Sequence, residues 1–189
     1  MPAEHDQIER VMLDIETLGT SPGAAVVAVG AAKFNADQLN RSTPPGKTPY
    51  EIIEDTYEQT ISINSCEEAG LTLDGDTIEF WLSQDDEAQE TIIGGDDLEA
   101  VLSDFSDWFG NADEIWANDP TFDCVLLSVA YDAVGVEKPW DYSQRRCYRT
   151  IKELGEKPAI DQAGTKHSAV DDAVYQARVA AELLCQLQN

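Results

Sequence analysis

Val11-Met12-Leu13-Asp14-Ile15-Glu16-Thr17-Leu18-Gly19-Thr20-Ser21-Pro22-Gly23 decides how this chain is read: an apolar run, two acids one residue apart, then a dense turn signal. The apolar run, interrupted only by Asp14, reads as a strand, and the residues after Glu16 as the loop that ends it. Strand side chains alternate faces, so Asp14 and Glu16 leave the sheet on one side while Ile15 enters the core. Two carboxylates held that close repel each other unless a cation lies between them. Hard divalent ions such as Mg²⁺ or Mn²⁺ take oxygen ligands of this kind. By itself, a strand end with two acids is ordinary.

Outward from this strand, residues 25–34 are small, β-branched and apolar, and are expected to pair with it antiparallel. A polar, Pro-rich excursion at 41–49 precedes a third expected strand at 56–63. From Thr77 the period turns helical, with Ile78, Trp81 and Leu82 on one face of a helix running toward Glu90. A second helix is expected over 98–109, with Asp96 or Asp97 as N-cap and Leu98, Val101, Leu102, Phe105, Trp108 and Phe109 as its buried stripe. Ile115-Trp116-Ala117 reads as a short strand ending at Asn118, followed by a helix over 120–133 that opens on Pro120 and closes at Gly135. Residues 140–148 supply a further strand and 168–187 a long terminal helix. Early strands followed by alternating helices and strands specify an α/β domain, a mixed central sheet flanked by helices. At 189 residues the chain suffices for one core and is short for two, so a single domain over 1–189 is expected.

Composition pulls against one class of ligand. Thirty-seven Asp plus Glu against 12 Lys plus Arg give a net charge of −25, which repels a polyanion at long range. Bound metal, local positive charge or screening must offset that repulsion in any nucleic-acid binder. Only six lysines fits a halophilic protein, since at molar salt the Debye length is about 3 Å. An ordinary solubilising acidic surface explains the same composition. Cys66, Cys124, Cys147 and Cys185 form no C-x-x-C pair, so neither a zinc site nor a disulfide framework is expected. The first ten residues contain no apolar signal region and no long apolar run follows, which points to a cytoplasmic chain, in the host cytoplasm if it is viral, with no membrane association.

Two further motifs stand at expected helix starts. Trp116-Ala117-Asn118-Asp119-Pro120-Thr121-Phe122-Asp123 runs a strand into a helix with Asp123 in its first turn, where an acid also simply complements the helix dipole. Lys166-His167-Ser168-Ala169-Val170-Asp171-Asp172 places one of the two histidines five residues before Asp172 and four before Asp171. Each is uninformative alone.

In this order, Asp14-x-Glu16, Phe122-Asp123 and His167-x₄-Asp172 resemble the three motifs of the DEDDh group within the RNase T/DnaQ-like 3′-to-5′ exonuclease superfamily. More narrowly, Thr77-x₃-Trp81-x₂-Gln84 and Arg146-Cys147-Tyr148-Arg149-Thr150 are similar to the phage exonuclease A group and the mycobacterial RNase T-like exoribonuclease. The resemblance implies an RNase H-like fold and release of mononucleotides from single-stranded 3′ ends with two divalent cations, Mg²⁺ or Mn²⁺. It implies that Asp14 bridges both ions, Glu16 and Asp172 complete the first site, and Asp123 supports the second, largely through water. His167 becomes the general base, an imidazole being able to take a proton near neutral pH. The spacing of five selects Asp172, whereas i+4 geometry on a regular helix favours Asp171.

The same resemblance gives Thr17 and Leu18 contacts to the terminal sugar and base, against the alternative of a plain turn. Trp81 and Phe122 are candidates for stacking on bases or for the core, and Asn118 for a substrate contact or for fixing the turn. Arg149, with Arg145, Arg146 and Lys166, forms the one plausible basic cluster, and Arg149 pairing locally is the alternative. So small a cluster implies a footprint of a few nucleotides. RNA is the expected substrate, single-stranded DNA the alternative, and a homodimer is implied by the nearest relatives. A non-catalytic nucleic-acid-binding module would be expected to lose one of the five motif residues, and all five are present.

Overall fold

A computed structural model describes residues 8–39, 50–156, 158–162, 164 and 167–187. The expected excursion at 41–49 and Lys166 lie outside them. The first strand, β1 (Arg10–Thr17), pairs antiparallel with β2 (Val26–Phe34), which pairs antiparallel with β3 (Ile53–Thr60). On the other side β1 pairs parallel with β4 (Glu114–Ala117), and β4 with β5 (Arg145–Cys147), giving the order β3-β2-β1-β4-β5. This is the mixed sheet that the early strands and later alternation imply.

Alternation along β1 sorts the two layers. Val11, Leu13 and Ile15 join a core built with the helices α4 (Leu98–Phe109) and α5 (Asp123–Val134). Met12 faces the other way, into a core with α6 (Tyr148–Leu154) and α7 (Ala169–Leu187). Asp14 and Glu16 share the parity of Met12 and therefore open toward α7. Asp97 is the N-cap of α4, accepting from the amides of Glu99 and Ala100.

Several boundaries differ from expectation. The third strand stops at Thr60, because Ile61 N–H turns to Val27 and Ser62 N–H to Asp96, after which a short α1 (Ile63–Glu68) begins. The helix expected from Thr77 toward Glu90 is two, α2 (Gly75–Leu82) and α3 (Asp86–Glu90). Asp74 and Asp85 each cap one, the second interrupting the first. The segment 140–148 keeps only three residues of strand, since Asp141 and Gln144 close a capping box around a 3₁₀ turn at Tyr142–Gln144. Helix α5 begins at Asp123 rather than Pro120, because the Asp119 carbonyl takes the amides of both Phe122 and Asp123.

Glycine decides one contact. Gly30, opposite Asp14 on β2, lies against the start of α7, where a Cβ would come within 2.1 Å of the Ala169 carbonyl carbon and the Val170 nitrogen. Only a residue without a side chain lets α7 begin this close to Asp14.

Candidate active site

Asp14 and Glu16 at the end of β1 meet Asp172 in the first turn of α7, each offering an oxygen within 4.8 Å of the other two. Asp123, at the first position of α5 and 5% exposed, stands close enough to add its charge to both β1 acids. Asp171 does not join them. It lines a separate acidic hollow with Glu58, Glu87 and Glu90, so the turn before α7 sends the residue five after His167, not four, to the set.

These acids resist ionising together. Burial first, then the charges of Asp123 and Asp172, hold the Asp14 carboxyl well above the usual range, against a hydrogen bond from Gln176 that favours its charged form. Burial and the neighbouring Asp14 push Glu16 up to about 9. Asp123 is pushed up to about 6 by burial, opposed by backbone amides of Asp119, Asp123 and Ile15. Asp172 is raised by burial, while His167 and the Gln162 amide on its Oδ1 pull it down. Buried oxygen donors that repel one another suit a hard divalent cation.

His167 stands in the turn before α7 with φ +64°, the one positive-φ residue other than glycine among the described residues. Its carbonyl accepts from the Thr91 hydroxyl at 3.2 Å, and its ring meets Phe80 and Trp81 edge-on at 5.7 and 5.8 Å. Strain of this kind persists where the surroundings enforce it.

An open cleft of about 510 Å³ adjoins the acids, with Glu16, Thr17, Asp74, Phe80 and Phe122 among its walls. The residues expected to touch substrate divide here. Phe122, the cap residue of α5, lines the cleft. Thr17 borders it, its hydroxyl donating to the Gly19 carbonyl at 2.8 Å. Leu18 and Trp81 are 3% and 4% exposed and belong to the core, the second of the two places expected for Trp81, whose ring also borders the cleft. Leu18 is tied by its own amide to Ala25 and by its carbonyl to Asp74, and the Trp81 indole N–H donates to the Thr17 carbonyl at 3.0 Å. Trp81 is thus part of the cleft wall, and Leu18 lies behind it in the core. The ring that reaches solvent is their neighbour Phe80, 45% exposed, which sequence reasoning passed over.

Two members of the basic cluster are paired. Arg149 bonds Asp119 at 3.1 Å and Arg146 bonds Glu114 at 3.0 Å. Asn118 accepts the Arg149 amide at 3.2 Å through its carbonyl, which fixes the turn out of β4. Sequence reasoning also missed Gln176, although it lies four residues after Asp172 and so on the same helix face. Gly30 and Thr91 carry no sequence signal that tells them from other glycines and threonines.

Solved structures share this fold. The nuclease domain of 3′hExo, a DEDDh family member bound to rAMP, has a TM-score of 0.63 at 16% identity, over 97% of this chain and 95% of that one. A 3′-exonuclease described for 3′-end specific recognition of the histone mRNA stem-loop gives 0.56 at 14% identity, over 95% and 83%. Pop2p of S. pombe, in a form with Mg²⁺ and Mn²⁺ bound, gives 0.57 at 13% identity, over 92% and 82%. At such identities the likeness establishes the RNase H-like fold. No curated protein matches the chain. The family model for the 3′-5′ exoribonuclease Rv2179c-like domain matches residues 9–184, so the chain belongs to that family of DEDDh enzymes and is a 3′-to-5′ exonuclease.

Proposed function

We propose that the chain, working as one domain, releases mononucleotides from the 3′ end of single-stranded RNA. Asp14, Glu16 and Asp172 would hold one divalent cation, Mg²⁺ or Mn²⁺, with Asp123 supporting a second beside Asp14. The observation that carries this reading is the meeting of three carboxylates from β1 and α7 within 4.8 Å, beside an open cleft. Bound there, divalent cations supply positive charge for the attacking and leaving oxygens of a phosphodiester.

The chain's own residues do the rest. His167, held by Thr91 and the Phe80 and Trp81 rings, takes the proton of the attacking water. Phe80 and Phe122 on the cleft walls receive the terminal nucleotide, and stacking on such rings tolerates any base. Trp81 keeps Thr17 in place through its carbonyl, so the strand end that carries Glu16 cannot drift. Arg149 is paired with Asp119, which limits the phosphates that can be held and supports a short footprint.

Support for RNA over DNA comes from the family description, an exoribonuclease, and from relatives described with rAMP or with a histone mRNA stem-loop. The test uses one sequence as RNA, as DNA, and as RNA whose 3′-terminal nucleotide lacks the 2′-hydroxyl. Faster shortening of the all-RNA strand is expected, with the modified strand delayed at its first step. Equal rates on all three would overturn the choice of RNA.

A further inference from the structure

Gln176 lies one helical turn beyond Asp172 on α7, on the side that covers β1. It is 9% exposed, and its Nε2 donates to Asp14 Oδ1 at 2.8 Å. Its Oε1 is buried and has no hydrogen-bond partner. Its helix neighbours Ala173 and Ala177 belong to the apolar core, where an aliphatic side chain would leave no polar atom unsatisfied. Retaining an amide here therefore calls for a reason, because buried polar atoms are ordinarily partnered.

The two ends of the amide supply one. A carboxylate flanked by Glu16 and Asp172 is free to rotate away from their charge unless something holds it. A donor on Oδ1 fixes that rotation and would leave Oδ2 available to a cation. Small divalent cations keep several waters, which are donors in search of acceptors. An unpartnered amide oxygen beside the acids matches that need.

We infer that Gln176 is a positioning residue of the cation site, orienting Asp14 through its N–H and receiving a cation-held water on its carbonyl oxygen. Partners of metal ligands matter in this way generally, and their loss lowers metal affinity or activity by about 10–100-fold. The inference rests on the reading that Asp14 binds a cation.

The experiment is a titration of Mn²⁺ into chelator-stripped protein, followed by calorimetry, for wild type, Gln176→Met, Gln176→Asn and Asp14→Asn. Thermal unfolding in chelator accompanies it. Gln176→Met is expected to unfold no earlier than wild type, yet to bind Mn²⁺ about tenfold or more weakly. The Mn²⁺ concentration for half-maximal exonuclease rate should rise in parallel, with KM for RNA little changed. Gln176→Asn, too short to reach Asp14, should show the same loss and covers the case in which the methionine variant does not fold. A purely structural glutamine would give a lower Tm and unchanged Mn²⁺ affinity in both variants, which overturns the inference alone. Equal Mn²⁺ binding by wild type and Asp14→Asn would instead overturn the cation reading itself.

Discussion

His167 pairs a strained backbone with a ring that Asp172 feels as charge. A left-handed conformation costs an ordinary residue roughly 1–2 kcal/mol, so His167→Gly should be more stable than His167→Ala by about 1 kcal/mol in thermal unfolding. Both should lose about 10²–10⁴-fold in exonuclease rate, the range for a positioned acid or base. Equal stability of the two would mean the turn is not strained in solution. Glu16 supplies a second test. Its carboxyl is pushed up from 4.5 to about 9, so between these values the folded protein holds a proton that the unfolded chain has released. Stability of the metal-free protein must then fall as pH rises through that window and recover as pH drops toward 5. The difference between wild type and Glu16→Gln isolates this effect from the general acidity. A difference that does not change between pH 5.5 and 8.5 would contradict it. Among the residues of the site, the motif acids and His167 were legible because their order matches a family. Gln176 and Phe80 were not, because an amide on a helix and an aromatic beside a tryptophan are ordinary until their neighbours are known.

At the scale of elements, the site depends on α7 starting against β2. Gly30 permits this, and a Cβ there meets backbone, which cannot move aside as a flexible side chain would. Gly30→Ala is therefore expected to cost about 3 kcal/mol or more in chemical denaturation, at the upper end of overpacking. It should also reduce activity, since moving α7 separates Asp172 from Asp14. Full activity with native stability would show that the two elements are not coupled. Sequence periodicity revealed β1, β2, α4 and α7 because each has a long, consistent apolar pattern. It failed where local polar chemistry outranked pattern. Asp85 caps a new helix within an apparently continuous one, and the Asp141–Gln144 capping box turns three residues of an expected strand into a 3₁₀ turn. Helices α1 and α6 are too short, at six and seven residues, to show a periodic stripe.

For the whole molecule, the net charge of −25 and the engaged arginines have a common consequence. Among the described residues Arg10 pairs with Asp37 and Glu114, Arg146 with Glu114 and Arg149 with Asp119, so three of the 12 cations are engaged against an excess of acids that repels phosphates. The logarithm of RNA affinity should fall with the logarithm of salt at a slope of about 1–2, since each phosphate neutralised on a single strand contributes roughly 0.7. A slope above about 4 would contradict a footprint of a few phosphates. Composition alone argued against a nucleic-acid substrate. What reverses it is the placement of acids from β1, α5 and α7 at one strand end, which no count of residues reveals. Among the described residues no helix is long and apolar enough to cross a membrane.

The most direct measurement follows a 5′-labelled single-stranded RNA incubated with wild type, Asp14→Asn or Asp171→Asn, with Mn²⁺ or with chelator. Wild type and Asp171→Asn should produce a ladder shortening from the 3′ end in Mn²⁺ and none in chelator. Asp14→Asn, folded by circular dichroism, should be slower by roughly 10²–10³-fold, the scale for losing one electrostatic stabiliser of the transition state. A ladder that persists in chelator, or that Asp14→Asn leaves unchanged, would contradict the assignment of these acids as the catalytic cation site.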